Sequence, residues 1–364
     1  MFDFIDNLLS GNEDTMAYIC NAVLLTILFI TFVFIFVLFQ QKSLNRLGYK
    51  REYINKNYVN VLYSSNWRDD ELAVLLIIPG NPGQAGYYQE YMDLVILHSD
   101  EQFRACVVSH VGHSPASDNI FNVRDQIESK LQFITAKLEP GTKIHLIGHS
   151  FGAYIALKLF EKGIKLEKSI LLFPTFDNMG QMPKAANLRM LLRWQSQITA
   201  VAWLTELLPG QLKNKMIQFY SAKFSKNIQD HMSATIAELI TPKSLNNVFG
   251  LATNEMAVIK DPDFKLIKKF KDKLVFYYGM HDLWAPLDCL RKLRKAVPAV
   301  NFHIADEEVL HAFMFSSCKK VALKTVEFLT GNTRYDINNL IPNFEEVAAA
   351  ARADGDLEYD FCDD

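Results

Sequence analysis

Cysteine is sparse in this chain and shows no pairing pattern. Its five residues (Cys20, Cys106, Cys289, Cys318 and Cys362) are an odd number without C-x-x-C spacing. This argues against a disulfide framework or a cysteine zinc site and suits a reducing compartment. A basic excess is also missing, since 38 Lys and Arg stand against 41 Asp and Glu. The chain therefore lacks the electrostatic footprint of a nucleic-acid binder. No Asn-x-Ser/Thr acceptor occurs, in keeping with a catalytic region that is not secreted. The sequence has no P-loop, no G-x-G-x-x-G dinucleotide fingerprint and no metal-ligand cluster, so neither cofactor nor metal is expected.

What the chain does have is apolar content. Its 364 residues are 49% hydrophobic, enough for one α/β core with an insertion. One stretch stands apart: Ala17 to Phe39 reads AYICNAVLLTILFITFVFIFVLF, 23 residues without a charge. As a helix it covers roughly 34 Å, enough for a bilayer core of about 30 Å. Asp3, Asp6, Glu13 and Asp14 precede it and no Lys or Arg does, which is the wrong flank for a secretory signal. Lys42, Arg46, Lys50 and Arg51 follow, so the positive-inside rule places the remainder of the chain in the cytosol. The expected organisation is an acidic tail (1–16), a membrane anchor (17–39), a polar linker (40–57), a catalytic domain (58–332) and an acidic C-terminal tail (333–364).

From Val59 onward short apolar runs alternate with helix-like segments. The sequence predicts strands at Leu72–Gly80, Ala105–His110, Lys143–Gly148, Ser169–Pro174, Lys273–Gly279 and Val300–Ala305. Helices are expected near Tyr87–His98, Arg124–Lys137, Gly152–Lys162, Leu287–Ala296 and Ser316–Thr330. The strand runs are rich in Val, Ile and Leu and mostly do not alternate, as in parallel strands covered on both faces. The fold class is thus α/β, a mostly parallel, doubly wound sheet. About 178–270 breaks the rhythm and is expected to be a helical cap. Within it, Leu188–Leu208 is amphipathic and carries Trp194 and Trp203. It reads either as a pair of cap helices packed on the core or as a lid whose apolar face meets a lipid surface.

The chemistry centres on Gly148-His149-Ser150-Phe151-Gly152, a G-x-S-x-G elbow after a buried strand and before a helix. So tight a turn needs small residues two positions either side of the serine, and the helix start beneath it favours a developing oxyanion. A serine needs a base and an orienting acid. In this fold class they follow in the order acid, then histidine. Asp282 stands after the strand LVFYYG, where site residues gather at strand ends, and is preferred to Asp177 after LLFPTF. His311 lies in the loop before the last helix and is the expected base. Among its competitors, His149 adjoins the nucleophile and His281 adjoins the acid, so both are expected to point elsewhere; His110 and His113 receive no role. Histidines 98, 145 and 231 read as structural or surface residues. For the oxyanion hole the candidate donors are the N–H groups of Phe151 and of Asn81, in the loop IIPGNPG; Pro82 has no N–H to give.

Taken in order, IIPGNPG, SHVGH, QIESKLQFI, LIGHSFGAY, LLFPT, FYYGMHDLWAP and LHAF resemble the lipid droplet-associated serine hydrolase family of the α/β-hydrolase superfamily. The resemblance runs from about residue 74 to 330, nearly all of the chain outside the apolar span and its flanks. The resemblance implies the α/β-hydrolase fold and a Ser150–Asp282–His311 triad. It further implies a lipid ester hydrolase, with sterol esters the substrate most often proposed, working on lipid droplets and endoplasmic reticulum. The N-terminal apolar span is not part of that family pattern. Two alternatives accompany hydrolysis: a droplet-shaping or clustering protein that needs no turnover, and acyl transfer to an alcohol through the same acyl-enzyme.

Overall fold

A computed structural model describes residues 50–331, apart from 55 and 223–228. The acidic tail, the anchor at 17–39, most of the linker and the tail at 333–364 lie outside the described residues. Among the described residues, no helix is long and apolar enough to cross a membrane.

Eight strands form one sheet: β1 (Lys50–Ile54), β2 (Asn57–Tyr63), β3 (Ala73–Ile78), β4 (Phe103–Val108), β5 (Ile144–His149), β6 (Lys168–Leu172), β7 (Leu274–Tyr278) and β8 (Asn301–Ile304). Their order is β1-β2-β4-β3-β5-β6-β7-β8. From β4 to β8 all neighbours are parallel, whereas β1 and β2 form an antiparallel edge. That edge corrects the linker expected over 40–57. Lys50–Ile54 is a strand with two charged and exposed residues at its start, so it offers no apolar run to find; Ile54 is its contribution to the core, joined there by Val59 and Val61 of β2.

Alternate residues of β3 serve two cores, Val74, Leu76 and Ile78 on one face and Leu75 and Ile77 on the other. Helices α1 (Gln89–His98) and α11 (Cys318–Thr330) cover the second face, with Tyr91, Val95 and Val321 packed inward. The first face is covered by α2 (Val123–Lys137), α3 (Phe151–Glu161) and α10 (Leu287–Ala296). Helix α2 starts on a capping box in which Asn122 and Asp125 satisfy each other's backbone N–H. Burial on both faces is why the strand sequences do not alternate.

Between β6 and β7 lie α4 (Ala185–Arg193), α5 (Gln195–Glu206), α6 (Gly210–Ser221), α7 (Gln229–Leu239), α8 (Pro242–Val258) and α9 (Phe264–Phe270). The amphipathic run at 188–208 is not one helix, and it is only part of the insertion. It breaks at Trp194, which ends α4 and starts α5, and three further helices follow it before α9. The loops after β3, β5, β7 and β8 gather at the carboxyl edge of the sheet beneath this insertion.

Candidate active site

Ser150 joins β5 to α3 with φ 52° and ψ −119°, a conformation that costs a non-glycine residue energy. Its side chain makes no capping bond to α3, which removes the ordinary reason for a serine at a helix start. Close approach explains both flanking glycines. A Cβ on Gly148 would lie 2.5 Å from the Gly152 carbonyl oxygen, and one on Gly152 would collide with the carbonyl oxygen of Ile78. The turn is held by Ser150 N–H donating to Leu172 O across to β6.

The structure brings Ser150, His311 and Asp282 together although they are far apart in sequence. His311 Nε2 is 2.9 Å from Ser150 Oγ and its Nδ1 is 2.7 Å from Asp282 Oδ2. A carboxylate oxygen accepts, so Nδ1 carries the proton and Nε2 is left to accept from the serine hydroxyl. Asp282 is buried, and its other oxygen accepts from the N–H groups of Trp284 (2.8 Å) and Ala285 (3.2 Å). Those bonds fix the carboxylate plane toward the imidazole. Asp177, the competing acid, is instead paired with Lys292 at 2.9 Å. His281 is exposed.

The position of His149 beside the nucleophile predicts a ring that points away, yet the ring closes the site from behind. Gly80 N–H donates to Tyr88 Oη (2.9 Å), and Tyr88 Oη lies 2.6 Å from His149 Nδ1. Having accepted from Gly80, the phenol donates to Nδ1, so the His149 proton sits on Nε2 and is given to the His311 carbonyl oxygen at 2.9 Å. Burial, with His311 beside it, pushes the His149 imidazole well below its usual range, so it is neutral. Phe173 and Phe313 pack on that ring at 6.0 and 5.2 Å. Tyr88 escaped the sequence reading; the adjacent GYY segment was its only signal.

The SHVGH segment forms a cradle beneath the loop after β3. His110 N–H donates to Gly83 O (2.8 Å), Gly83 N–H to His113 Nδ1 (2.9 Å) and Ala85 N–H to Ser109 Oγ (3.0 Å). A Cβ on Gly83 would collide with the His110 ring, which is why the loop needs glycine there. Burial, reinforced by Lys130, drives His113 down to about 3, so it remains a neutral acceptor for Gly83. Lys130 is itself pushed down to about 7 by burial and donates to Ser109 O at 2.7 Å.

The two expected oxyanion donors are placed on either side of Ser150. Phe151 is the first residue of α3 and Asn81 lines the cavity beside Gly80. Among the described residues neither N–H has a protein acceptor, whereas Gly80 N–H is taken by Tyr88. The cavity above Ser150 and His311 has a volume of about 840 Å³. Its far wall is mostly apolar and comes from the insertion, with Met216 and Ile217 of α6 and Ile236 and Leu239 of α7.

A strained serine turn at the carboxyl edge of a mostly parallel, doubly wound sheet defines the α/β-hydrolase fold. Solved structures share it. A carboxylesterase of Nitrososphaera gargenis superposes with a TM-score of 0.55 at 15% identity, over 78% of this chain and 97% of that one. A serine hydrolase from Cycloclasticus zankles gives 0.55 at 13% identity, over 78% and 98%. The family model for Lipid-droplet associated hydrolase matches residues 71–314, and the chain belongs to that family. The lipid droplet-associated hydrolase of Gallus gallus is 29% identical over 295 residues, 74% of this chain and 91% of the relative. That of Homo sapiens is 27% identical over 260 residues, 66% and 79%. The relative from Dictyostelium discoideum is 26% identical over 289 residues, 75% and 92%.

Proposed function

We propose that the chain is a serine esterase that cleaves lipid carboxylic esters, sterol esters among them. It works at lipid droplets or the endoplasmic reticulum, with residues 17–39 as anchor, residues 178–270 as cap and the catalytic part in the cytosol. The observation that carries this reading is the Ser150–His311–Asp282 chain of hydrogen bonds opening into an apolar cavity of about 840 Å³. The names of the relatives support the droplet.

In this reading Ser150 Oγ attacks the ester carbonyl carbon while its proton passes to His311 Nε2. The N–H groups of Asn81 and Phe151 receive the oxyanion. Asp282 keeps the imidazole oriented and balances its transient charge. His311 then returns the proton to the departing alkoxide, the alcohol leaves, and the acyl group stays on Ser150. Water, giving its proton to His311, releases the fatty acid by the same two steps.

The test is purified wild-type protein and Ser150→Ala against a panel of lipid esters presented on droplets, with labelling by a fluorophosphonate probe. The variant is expected to lose labelling and at least about 10³-fold in turnover. Equal labelling of the two proteins overturns the reading. The exposed apolar surface of the cap favours one rival, a droplet-clustering role without turnover. A full effect of Ser150→Ala on droplet size and number supports that rival.

A further inference from the structure

Asn81 contributes to the site through its backbone, and its side chain points away into the cap. Nδ2 donates to the Val248 carbonyl oxygen (3.1 Å) and to Glu255 Oε1 (2.9 Å), both on α8. A main-chain carbonyl only accepts, so the NH₂ end of the amide must face α8. The other end, Oδ1, is buried with no hydrogen-bond partner. A buried orphan acceptor is costly, and native proteins seldom leave one. Glu255 is 1% exposed, and Asn81 is its only side-chain partner among the described residues.

The charged side chains on elements packed against α8 are occupied elsewhere or, like Arg124 of α2, exposed. Lys130 of α2 bonds Ser109 O, Glu128 of α2 pairs with Lys162, Lys137 of α2 pairs with Glu52, and Glu238 of α7 accepts from Ser114 Oγ. Arg189 of α4 bonds Gly180 O, and on α8 itself Lys243 pairs with Asp118. Arg193 of α4 and Glu206 of α5 are exposed. Among the described residues, no cation is therefore paired with the Glu255 carboxyl. Burial pushes it up to about 8, against the opposing pull of the Asn81 bond.

We propose that Glu255 is a positioning residue for the oxyanion loop: as a neutral acid it accepts from Asn81 Nδ2 with one oxygen and donates its proton to Asn81 Oδ1 with the other, clamping the Gly80–Asn81 backbone over Ser150 from the cap. The pairing satisfies the orphan acceptor and needs no counter-ion. It rests on the reading of Ser150 as nucleophile and of Asn81 N–H as oxyanion donor. Elsewhere the loop is pinned by Tyr88 at Gly80 and by His113 and His110 at Gly83. Between those points the Asn81 side chain is the hold on the donor, and its partners lie 167 and 174 residues away. Ionisation of Glu255 removes the donated proton and places a negative charge behind a loop that must stabilise another. Activity is therefore present while Glu255 is neutral and falls as pH rises through about 8.

The discriminating variants are Glu255→Gln and Glu255→Leu of the full chain, assayed on p-nitrophenyl butyrate from about pH 6 to about pH 10. Glutamine carries both an acceptor and a donor at all these pH values, so it imitates the neutral acid permanently. Glu255→Leu is expected to lose kcat by about 10- to 100-fold with little change in KM, since a misplaced oxyanion donor affects the transition state. Glu255→Gln is expected to recover most of that loss and to lack the alkaline fall of the wild type. If Glu255→Gln is as impaired as Glu255→Leu while melting like the wild type, the proposal is wrong. It is equally wrong if Glu255→Gln keeps the wild-type alkaline limb, a comparison that stands even if Glu255→Leu does not fold. Ser150→Ala, run alongside, separates the two ideas. Undiminished turnover in it discards the serine reading itself, whereas a dead Ser150→Ala with an unshifted Glu255→Gln profile discards only the clamp.

Discussion

Helix α3 under the elbow and helices α4 and α5 in the insertion place their apolar residues in different surroundings. Eight of the eleven residues of α3 are buried, whereas α4 and α5 each bury one, Ala185 and Ala202. Ten of the eighteen large apolar side chains exposed among the described residues fall between Met190 and Tyr220, Trp203 (55%) and Leu207 (65%) among them. The sheet layers use apolar area to fold. The cap leaves apolar area exposed, and its inner side lines the cavity over Ser150. Exposed apolar surface concentrated in this way marks an interaction site more often than scattered residues do.

That division of labour can be broken at several points. The largest effect is expected on the core side: Asp282→Asn should lower kcat by on the order of 10⁴-fold, because an amide at that position can donate to Nδ1 and favour the wrong tautomer of His311. Steady-state kinetics with an unchanged melting temperature checks this, and a loss below tenfold would return the acid role to Asp177. A smaller effect is expected for Tyr88→Phe, which leaves Gly80 N–H and His149 Nδ1 buried without partners. Each orphan costs about 1–3 kcal/mol, so both melting temperature and kcat should fall. An unaltered protein would show that the relay through His149 holds nothing in place. The smallest change in stability belongs to the cap. Replacing Trp203 and Leu207 by Ser should leave folding within about 0.5 kcal/mol per site. It should weaken binding to phospholipid-coated triolein emulsions by about tenfold or more, since burying each side chain in lipid is worth up to about 1.5–3 kcal/mol. The control is Leu97→Ser on α1, equally exposed at 64% but outside the cap. Equal loss of binding from that control would erase the distinction between cap and core.

Much of the core was legible because its signals are local. The apolar runs of β3 to β8 end within a few residues of where hydrogen bonding ends them, and Gly148, Ser150 and Gly152 announce the turn through their spacing. Strand β1 was lost because an edge strand with an exposed face carries charges where the core strands carry Val and Ile, and β2 because Asn57, Tyr58 and Asn60 interrupt its apolar residues. The run at 188–208 was legible as a pair of helices, but the position of the break, Trp194, was not, because the apolar stripe continues through it.

The local sequence determined the elbow, the parallel strands and the order in which serine, acid and histidine appear, since backbone sterics and burial act over a few neighbouring residues. The strand-end position favoured Asp282 over Asp177, and the winding of the sheet set Asp282 against His311 and Asp177 against Lys292. That winding also turned His149 back toward His311, and it brought Glu255 against Asn81 across 174 residues. Such pairings have no local signature, because the free energy that forms them comes from packing distant segments into one core.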